Sequence, residues 1–252
     1  MFFDKLIQDH LPFINDSQRI NFYKENIQAQ CNNKICVDVG AGTGILTDLA
    51  LDGNAKKVYC VEIKKRVCQF LREKYKNNNK VEVVEANFLD VHFEDAELYF
   101  LEQTGFQFNN NFLLKQFFQK IKTVPSIPNR YTLRAYIFDG IINDKPHFLV
   151  DNKSFPKNYF AHCMKQQTIK PTEVIDVYEL TAQNAAEPLR FKIDLTGYKE
   201  CTIFLDDDIF QDKDKSNGNL YIDWPDKPFT IHIKKAMRSF SFKWANGAMQ
   251  IE

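Results

Sequence analysis

The spacing of hydrophobic and polar residues changes along the chain and predicts two kinds of structure. Up to about residue 124, short apolar runs such as "KICVDVG" and "KKVYCVEI" alternate with stretches in which apolar residues recur at helical spacing. One of these stretches is "TGILTDLALDG", where Gly53 is suited to end a helix. Strands that alternate with helices predict a parallel sheet covered on both faces, after an N-terminal helix capped at Asn15, Asp16 or Ser17.

The pattern changes at "VPSIPNRYTL", where two prolines interrupt the helical spacing. Beyond it, short segments such as "TLRAYIFD", "LRFKIDL" and "RSFSFKW" alternate with period two, which is typical of strands. We therefore predict a Rossmann-like α/β domain over residues 1–124 and an all-β barrel or sandwich over 125–252. The acidic segment Asp206 to Asn219 is expected to be a solvated loop, because it lacks the ligand order of a calcium-binding loop.

Composition and charge narrow the classes of function. The chain has 33 basic and 33 acidic residues, so it carries no overall basic field, and we expect no nucleic-acid partner. There is no long apolar run and no signal-peptide pattern at the start, which predicts a cytoplasmic protein without membrane contact. The six cysteines form no C-x-x-C pair and are expected to be reduced, and the five scattered histidines predict no metal site.

A glycine-rich turn follows the first predicted strand of the α/β domain. In "VDVGAGTG" the glycines are Gly40, Gly42 and Gly44, and they permit a tight turn and a close approach of the backbone to a ligand. The next strand ends on Glu62, and an acid there can accept hydrogen bonds from the two hydroxyls of a ribose. Together these features predict a nucleoside-containing ligand.

The order G-A-G-T-G with Asp38 ahead of it departs from the dinucleotide fingerprint and makes NAD the minor alternative. It resembles motif I of class I S-adenosylmethionine-dependent methyltransferases, in which the acid helps to position the methionine moiety. By the same resemblance, adenine would be contacted after the third strand, in "EANFLD", by Asn87 through hydrogen bonds and by Phe88 through its ring. Phe88 is as readily explained as a packing residue where that strand ends.

Four segments resemble the protein arginine methyltransferases. "HLPFINDSQRINFY" is similar to the family's N-terminal segment, and "VDVGAGTGILTDLAL" with "VYCVEIKKRV" is similar to its motif I and following acid. "FLEQTG" is similar to the start of its double-glutamate loop, and "SIPNRYTLRAYIFD" to the entry into its β-barrel. The resemblance implies S-adenosylmethionine as the cofactor and an arginine, or a related nitrogen of a protein, peptide or small molecule, as the methyl acceptor.

The resemblance also implies roles for individual residues. Arg19 would bind the carboxylate of the cofactor, and His10 stands in the matching N-terminal position, where a ligand and a packing residue are both open. Glu102 matches the first of the two glutamates that bind the acceptor guanidinium, whereas Asn111 stands in place of the second. The family's Thr-His-Trp loop is loosely matched by "IDWPDKPFTI", with Asp223 in place of the histidine as a candidate for the missing acid.

The missing second glutamate leaves three alternatives open: a different acceptor, a carboxylate from elsewhere in the chain, or weak activity. Two other functions are also open, a small-molecule N-methyltransferase and a catalytically silent relative that binds cofactor or protein. The sequence "LEQTGF" lacks the Asn or Asp followed by proline that marks adenine methylation, so base methylation is not favoured. The segment before "TEVIDVYEL" is short for the family's dimerisation arm, which leaves open a homodimer without that arm.

Overall fold

The computed structural model describes residues 17–102, 111–141, 147–148, 168–169, 172–187, 190–211, 219–222, 229–235, 238–245 and 248–251. The chain divides into two compact units and passes between them more than once, and one of these changes falls between Asn129 and Arg130. The predicted boundary at residue 124 precedes the short strand Ser126–Ile127, which pairs with the first sheet. None of the helices in the described part of the chain is long and apolar enough to cross a membrane.

The first unit contains a sheet of five strands, and every neighbouring pair in it is parallel. The order across the sheet is β3-β2-β1-β4-β5, so the chain builds outward on one side and then crosses to the other. The strands are β1 (Ile35–Val39), β2 (Lys57–Glu62), β3 (Val81–Glu85), β4 (Leu98–Leu101) and β5 (Ser126–Ile127). The Rossmann-like parallel sheet predicted from the alternating pattern is confirmed.

One helix precedes these strands, and three helices and one short 3-10 helix lie between them along the chain. The helices are α1 (Ser17–Gln30), α2 (Ile45–Asp52), α3 (Lys65–Lys74) and α4 (Asn111–Ile121), and the 3-10 helix is Phe88–Asp90. Strands β1 and β4 are buried almost throughout, as expected of parallel strands covered on both faces. Helix α1 begins at Ser17, one of the three predicted caps.

Gly53 ends α2 as the sequence predicts, but for a reason that the sequence does not show. Its φ of −81° is open to any residue, so a left-handed conformation is not what requires glycine here. A Cβ at this position would lie 2.4 Å from Cys31 Sγ and 3.1 Å from Gln28 Cα. Glycine is needed because the end of α2 packs closely against the end of α1.

Beyond Asn129 the regular elements of the described residues are strands, as predicted. They are β6 (Arg130–Asp139), β7 (His147–Phe148), β8 (Thr168–Ile169), β9 (Glu173–Thr181), β10 (Arg190–Asp194), β11 (Cys201–Gln211), β12 (Asn219–Ile222), β13 (Phe229–Ile233), β14 (Ser239–Ala245) and β15 (Ala248–Ile251). One sheet has the order β12-β11-β6-β9, with β13 paired to β11, and another has the order β10-β14-β15. Closure of these sheets into a barrel remains a prediction.

Apolar side chains at alternating positions form the core of this unit. Phe191 and Ile193 point inward from β10, between exposed neighbours, as period two requires. They join a buried cluster with Leu195, which follows β10, and with residues of β6 and β11, namely Leu133, Ala135, Ile137, Cys201 and Ile203. The alternation that predicted these strands therefore arises from one shared core.

The predicted acidic loop is in part a strand. Strand β11 continues to Gln211, so its last six residues lie within the segment that composition assigned to a loop. The strand lies between β12 and β6 in the sheet, and main-chain pairing of this kind does not depend on apolar side chains. The prediction was wrong for Asp206 to Gln211, because three successive aspartates hid the strand.

Candidate functional site

Predicted site residues follow three neighbouring strands of the first sheet, where each strand ends. Val39 at the end of β1 is in register with Val61 of β2 and with Leu101 of β4. Gly40, Glu62 and Glu102 therefore lie along the carboxyl edge of the sheet. The strand order reverses between β1 and β4, and ligands of open α/β sheets bind outside the carboxyl ends at such a point.

The glycine turn has the backbone shape that the sequence predicts. Gly40, Gly42 and Gly44 have φ values of +73°, +53° and +81°, a region that other L-residues adopt only with strain. The turn is joined to β2, because the backbone N–H groups of Gly40 and Ala41 both donate to the Val61 carbonyl, at 2.9 and 3.1 Å. A Cβ on Gly40 would meet no atom within 4 Å, so the first glycine borders open space.

Glu62 is a buried carboxylate held by backbone amides at the end of β2. Its side chain is 7% exposed. Oε2 accepts a hydrogen bond from Gly42 N at 3.3 Å, and Oε1 accepts one from Lys64 N at 2.8 Å. Each carboxylate oxygen can accept more than one hydrogen bond, so Glu62 retains acceptor capacity for the hydroxyls of a ribose.

Asp38 lies beneath the glycine turn and is 1% exposed. The Thr47 hydroxyl donates to Asp38 Oδ2 at 2.7 Å and lies 2.9 Å from Cys60 Sγ. A hydroxyl has one hydrogen, so the Cys60 thiol is the donor to Thr47 while Asp38 is ionised. Burial raises the pKa of Asp38 to about 7, and the hydrogen bond from Thr47 opposes that increase. Asp38, the acid of motif I, is thus a buried carboxyl group with a raised pKa and a buried hydrogen-bond partner, Thr47.

The two residues predicted to contact adenine follow β3. Asn87 Oδ1 accepts a hydrogen bond from Leu89 N at 3.1 Å and so caps the 3-10 helix. Phe88 is 7% exposed, and its ring lies 5.8 Å from that of Tyr99 and 5.7 Å from that of Phe117. These contacts favour the packing role for Phe88.

Arg19 and Glu102, which the resemblance assigns to different ligands, contact each other. Arg19 Nη1 donates to Glu102 Oε1 at 3.1 Å, and the two side chains are 13% and 24% exposed. One helical turn further along α1, the Tyr23 hydroxyl donates to the Leu101 carbonyl at 2.9 Å. The R-x-x-x-Y spacing therefore puts both side chains on one face of α1, against the end of β4.

The other predicted site residues are described only in part. His10 and Asp223 lie outside the described residues. Asn111 begins α4, and its side chain also lies outside the described part of the chain. In the part that the structure does describe, no three histidine, cysteine or acidic side chains are grouped as metal ligands would be.

Sequence reasoning missed two features next to the predicted residues. Ile63 directly follows Glu62 and is 65% exposed, so its apolar side chain lies on the surface beside the predicted ribose-binding acid. Lys74 and Tyr75, where α3 ends, bind the carbonyl oxygens of Thr43 and Gly44. The sequence around Tyr75 carries no motif that joins it to the glycine turn, so it held no signal for this contact.

The residues present fit S-adenosylmethionine. The ligand has a ribose, and Glu62 retains acceptor capacity for its hydroxyls. The backbone of Gly40 borders open space, so a ligand can approach it. It also has a carboxylate, and Arg19 supplies a guanidinium at the same edge of the sheet. The ammonium group of the ligand would suit the acids of this edge.

Comparisons with known proteins agree on the class and differ on the acceptor. The family model for ribosomal RNA adenine dimethylase matches residues 6–166. Ribosomal RNA small subunit methyltransferase A of Mesomycoplasma hyopneumoniae (strain 232) is 36% identical over 85 residues, which are 34% of this chain and 31% of that protein. A probable protein arginine N-methyltransferase 6.1 of Oryza sativa subsp. indica is 39% identical over 92 residues, 34% of this chain and 24% of that protein.

Among solved structures, the Trypanosoma brucei PRMT1 enzyme-prozyme heterotetrameric complex with AdoHcy has a TM-score of 0.61 and 14% identity. The match covers 94% of this chain and 87% of that chain, so the likeness of fold extends through both units. The chain spans less than a third of the length of either curated relative.

The prediction that nucleic acid is not a partner was wrong, because the matching family and the Mesomycoplasma protein are named for ribosomal RNA. That prediction rested on the balance of charge over the whole chain, which does not reveal local clusters. Lys64, Lys65 and Arg66 are exposed in succession directly after Ile63. The match of the family model to more than half of the chain settles the family. The chain belongs to the ribosomal RNA adenine dimethylase family of class I S-adenosylmethionine-dependent methyltransferases, and it shares its fold with the protein arginine methyltransferases.

Proposed function

We propose that the protein is an S-adenosylmethionine-dependent N-methyltransferase whose acceptor is a guanidinium, on arginine in a protein or peptide or on a small molecule. One observation carries the proposal. Glu102, at the carboxyl edge of the sheet next to the glycine turn, is a partly exposed carboxylate that binds the guanidinium of Arg19 at 3.1 Å. A carboxylate in this position can bind the guanidinium of an acceptor in the same way.

The cofactor would be held along the edge formed by β1, β2 and β3. Glu62 would accept hydrogen bonds from the ribose, and Ile63 would cover one face of the adenine with its exposed side chain. Asn87 uses its carbonyl oxygen as a cap, so its amide hydrogens would be the groups that meet the ring nitrogens. When bound, the cofactor supplies a methyl group on a positively charged sulfur.

Glu102 would act on the acceptor. A guanidinium is a weak nucleophile, because its charge is delocalised and its pKa is above about 12. A carboxylate that accepts hydrogen bonds from two of its nitrogens draws positive charge toward them and leaves electron density on the third. A carboxylate has two oxygens with about four acceptor positions, so the chemistry of Glu102 allows it to bind more than one donor.

The lack of a second glutamate leaves three alternatives for the proposed site. The acceptor differs from peptidyl arginine and needs one carboxylate, or Asp223 provides the second, or one carboxylate supports slow transfer. Asn111 can accept a hydrogen bond through its carbonyl but brings no charge. Asp223→Asn separates the second alternative from the other two, since only that alternative predicts a large loss of transfer.

A labelling experiment tests the proposal. Protein is incubated with methyl-labelled S-adenosylmethionine and, separately, with arginine-rich peptide, free arginine and the small-molecule fraction of a lysate. We expect label on a guanidinium nitrogen, and Glu102→Gln should lower the rate by roughly 100-fold, as expected when a group that stabilises developing charge is lost. Glu94→Gln, an exposed acid in the turn before β4, is the matched control.

Cofactor binding by Glu102→Gln should match wild type in calorimetry, because the proposed role of Glu102 is on the acceptor. Unchanged turnover in Glu102→Gln would remove this residue from the site. Cofactor binding without transfer to any pool would identify a catalytically silent relative.

A second candidate is methylation of an adenine amino group in ribosomal RNA. The match of the family model to residues 6–166 favours it, and Glu102 could accept a hydrogen bond from the adenine amino group. Against it, "LEQTGF" lacks the Asn or Asp followed by proline. Transcribed small-subunit ribosomal RNA is therefore included in the same experiment, and label on adenine would replace the first candidate by the second.

A further inference from the structure

The residues where α3 ends reach back to the glycine turn that precedes α2. Lys74 Nζ donates to the Thr43 carbonyl at 2.9 Å, and the Tyr75 hydroxyl lies 2.8 Å from the Gly44 carbonyl. Both also meet Asp48 of α2: Lys74 Nζ lies 2.6 Å from Oδ2, and the Tyr75 hydroxyl lies 2.7 Å from Oδ1. Two donors thus hold two successive carbonyl groups of the turn and both oxygens of one carboxylate.

We propose that Tyr75 and Lys74 are positioning residues, which hold the glycine turn in the shape that binds the cofactor without touching the cofactor themselves. This inference rests on the proposed cofactor site. It adds two residues to that site which lie outside the glycine motif and outside the acids at the strand ends.

The lack of space for a side chain at Gly44 supports the proposal. A Cβ at this position would lie 2.5 Å from the Tyr75 hydroxyl oxygen, whereas a Cβ on Gly40 would meet nothing within 4 Å. The third glycine of the motif is therefore required by the approach of Tyr75, and the first glycine borders open space. One turn thus uses its glycines for two purposes, internal support and access for a ligand.

The contacts act on the turn through its peptide planes. In a trans peptide the C=O and the next N–H point in opposite directions, so fixing the Gly44 carbonyl also fixes the direction of the Ile45 N–H. Ile45 is the first residue of α2, and the first amides of a helix have no acceptor within that helix. The Gly44 carbonyl also accepts the Asp48 N–H of α2 at 2.9 Å, so Tyr75 adds a second donor that supports the orientation of this peptide at the start of α2.

Tyr75 is suited to a permanent donor role. Its side chain is 8% exposed, and burial, followed by the hydrogen bond with Asp48, raises its pKa, so the hydroxyl keeps its hydrogen at neutral pH. The hydroxyl has one hydrogen and two acceptors in reach, which it shares. Lys74 Nζ has three hydrogens and can satisfy the Thr43 carbonyl and Asp48 together.

Two substitutions test the proposal in the full chain. Tyr75→Phe removes only the hydroxyl, and Lys74→Met removes the charge while keeping most of the stem. We expect each to weaken S-adenosylmethionine binding about tenfold in calorimetry, the effect of one hydrogen bond, and to raise the KM for cofactor by the same factor. The kcat at saturating cofactor should stay at the wild-type value, a split that general loss of structure would not produce.

Matched controls use the same chemistry elsewhere in the first unit. Tyr59→Phe removes a hydroxyl that lies 3.1 Å from Asp95 Oδ2, and Lys76→Met removes an amine that lies 2.5 Å from Glu73 Oε1. Neither should change cofactor affinity. Thermal unfolding without ligand identifies any variant that does not fold, and because the two variants change different donors, one folded variant suffices for the test.

The outcomes separate this inference from the proposed function. Weaker cofactor binding by folded Tyr75→Phe or Lys74→Met, with normal binding by the controls, supports it. Wild-type affinity in both variants, or in the only one that folds, would overturn the positioning role and leave the proposed function intact. If the wild-type protein did not bind S-adenosylmethionine, both would fall.

Discussion

Asp38→Asn should make the protein more stable at neutral pH while weakening its binding of the cofactor. The carboxyl group is 1% exposed, and its pKa is raised from 3.8 to about 7, chiefly by burial and with smaller contributions from the charges of Asp48 and Glu62. A raised pKa means that the folded state binds the proton more tightly than the unfolded state does. The stability from this proton is therefore complete below about pH 4 and is lost as the pH rises through about 7.

The size of the effect follows from the two pKa values. A tenfold change in proton affinity corresponds to about 1.4 kcal/mol, so a change from 3.8 to about 7 corresponds to about 4 kcal/mol. Asparagine has nearly the same shape, can still accept the hydrogen bond from Thr47 and does not titrate. The free energy of unfolding of Asp38→Asn, relative to wild type, should therefore rise by about 4 kcal/mol between pH 4 and pH 8.

Urea unfolding followed by circular dichroism at each pH measures this difference directly. Other titrating groups are common to both proteins and cancel in the comparison. Asp52→Asn, an exposed acid at the end of α2, is the matched control. A difference between Asp38→Asn and wild type that stays constant from pH 4 to pH 8 would refute the reasoning. The loss of cofactor affinity, measured at pH 8, tests the predicted role of the acid separately.

Two further substitutions test the glycine turn and its neighbouring acid. Gly44→Ala should lower the free energy of unfolding more than Gly140→Ala, because the φ values are +81° and +83° but only the first Cβ would meet Tyr75, at 2.5 Å. Equal losses of unfolding free energy in urea would show that the Tyr75 side chain moves away from the new Cβ without lowering stability. Glu62→Gln should weaken S-adenosylmethionine binding about tenfold in calorimetry, through loss of a charged acceptor, whereas the exposed Glu82→Gln should not.

The first sheet could be predicted closely because its strands are buried on both faces. Leu98–Leu101 is a continuous apolar run, and Ile35–Val39 is an apolar run interrupted only by Asp38. Ser126–Ile127 was not predicted, because two residues beside a proline carry no periodicity. The end of strand β11 was predicted too early, because three polar residues, Asp206 to Asp208, indicated a loop. In the structure these residues are held in the strand by main-chain pairing.

The candidate site was predictable one residue at a time but not as a set of contacts. Motif spacing identified Arg19 and Glu102 separately, and their ion pair joins positions 83 residues apart. The contact of Tyr75 with Gly44 joins positions 31 residues apart and carries no motif. Such pairs are set by how α1 and α3 pack on the sheet, and packing of this kind leaves no periodic signal in one sequence.

Three acids at or near the ends of neighbouring strands show why the environment decides the role. "VDV", "CVE" and "FLE" look alike in the sequence, yet Asp38 is buried against a hydroxyl and Glu62 is bound by two backbone amides. Glu102 alone of the three forms an ion pair with an arginine side chain. A carboxylate bound to amides suits neutral hydroxyl donors, whereas one bound to a guanidinium suits a cation. The proposed acceptor therefore depends on the role of Glu102, whose carboxylate binds the guanidinium of Arg19.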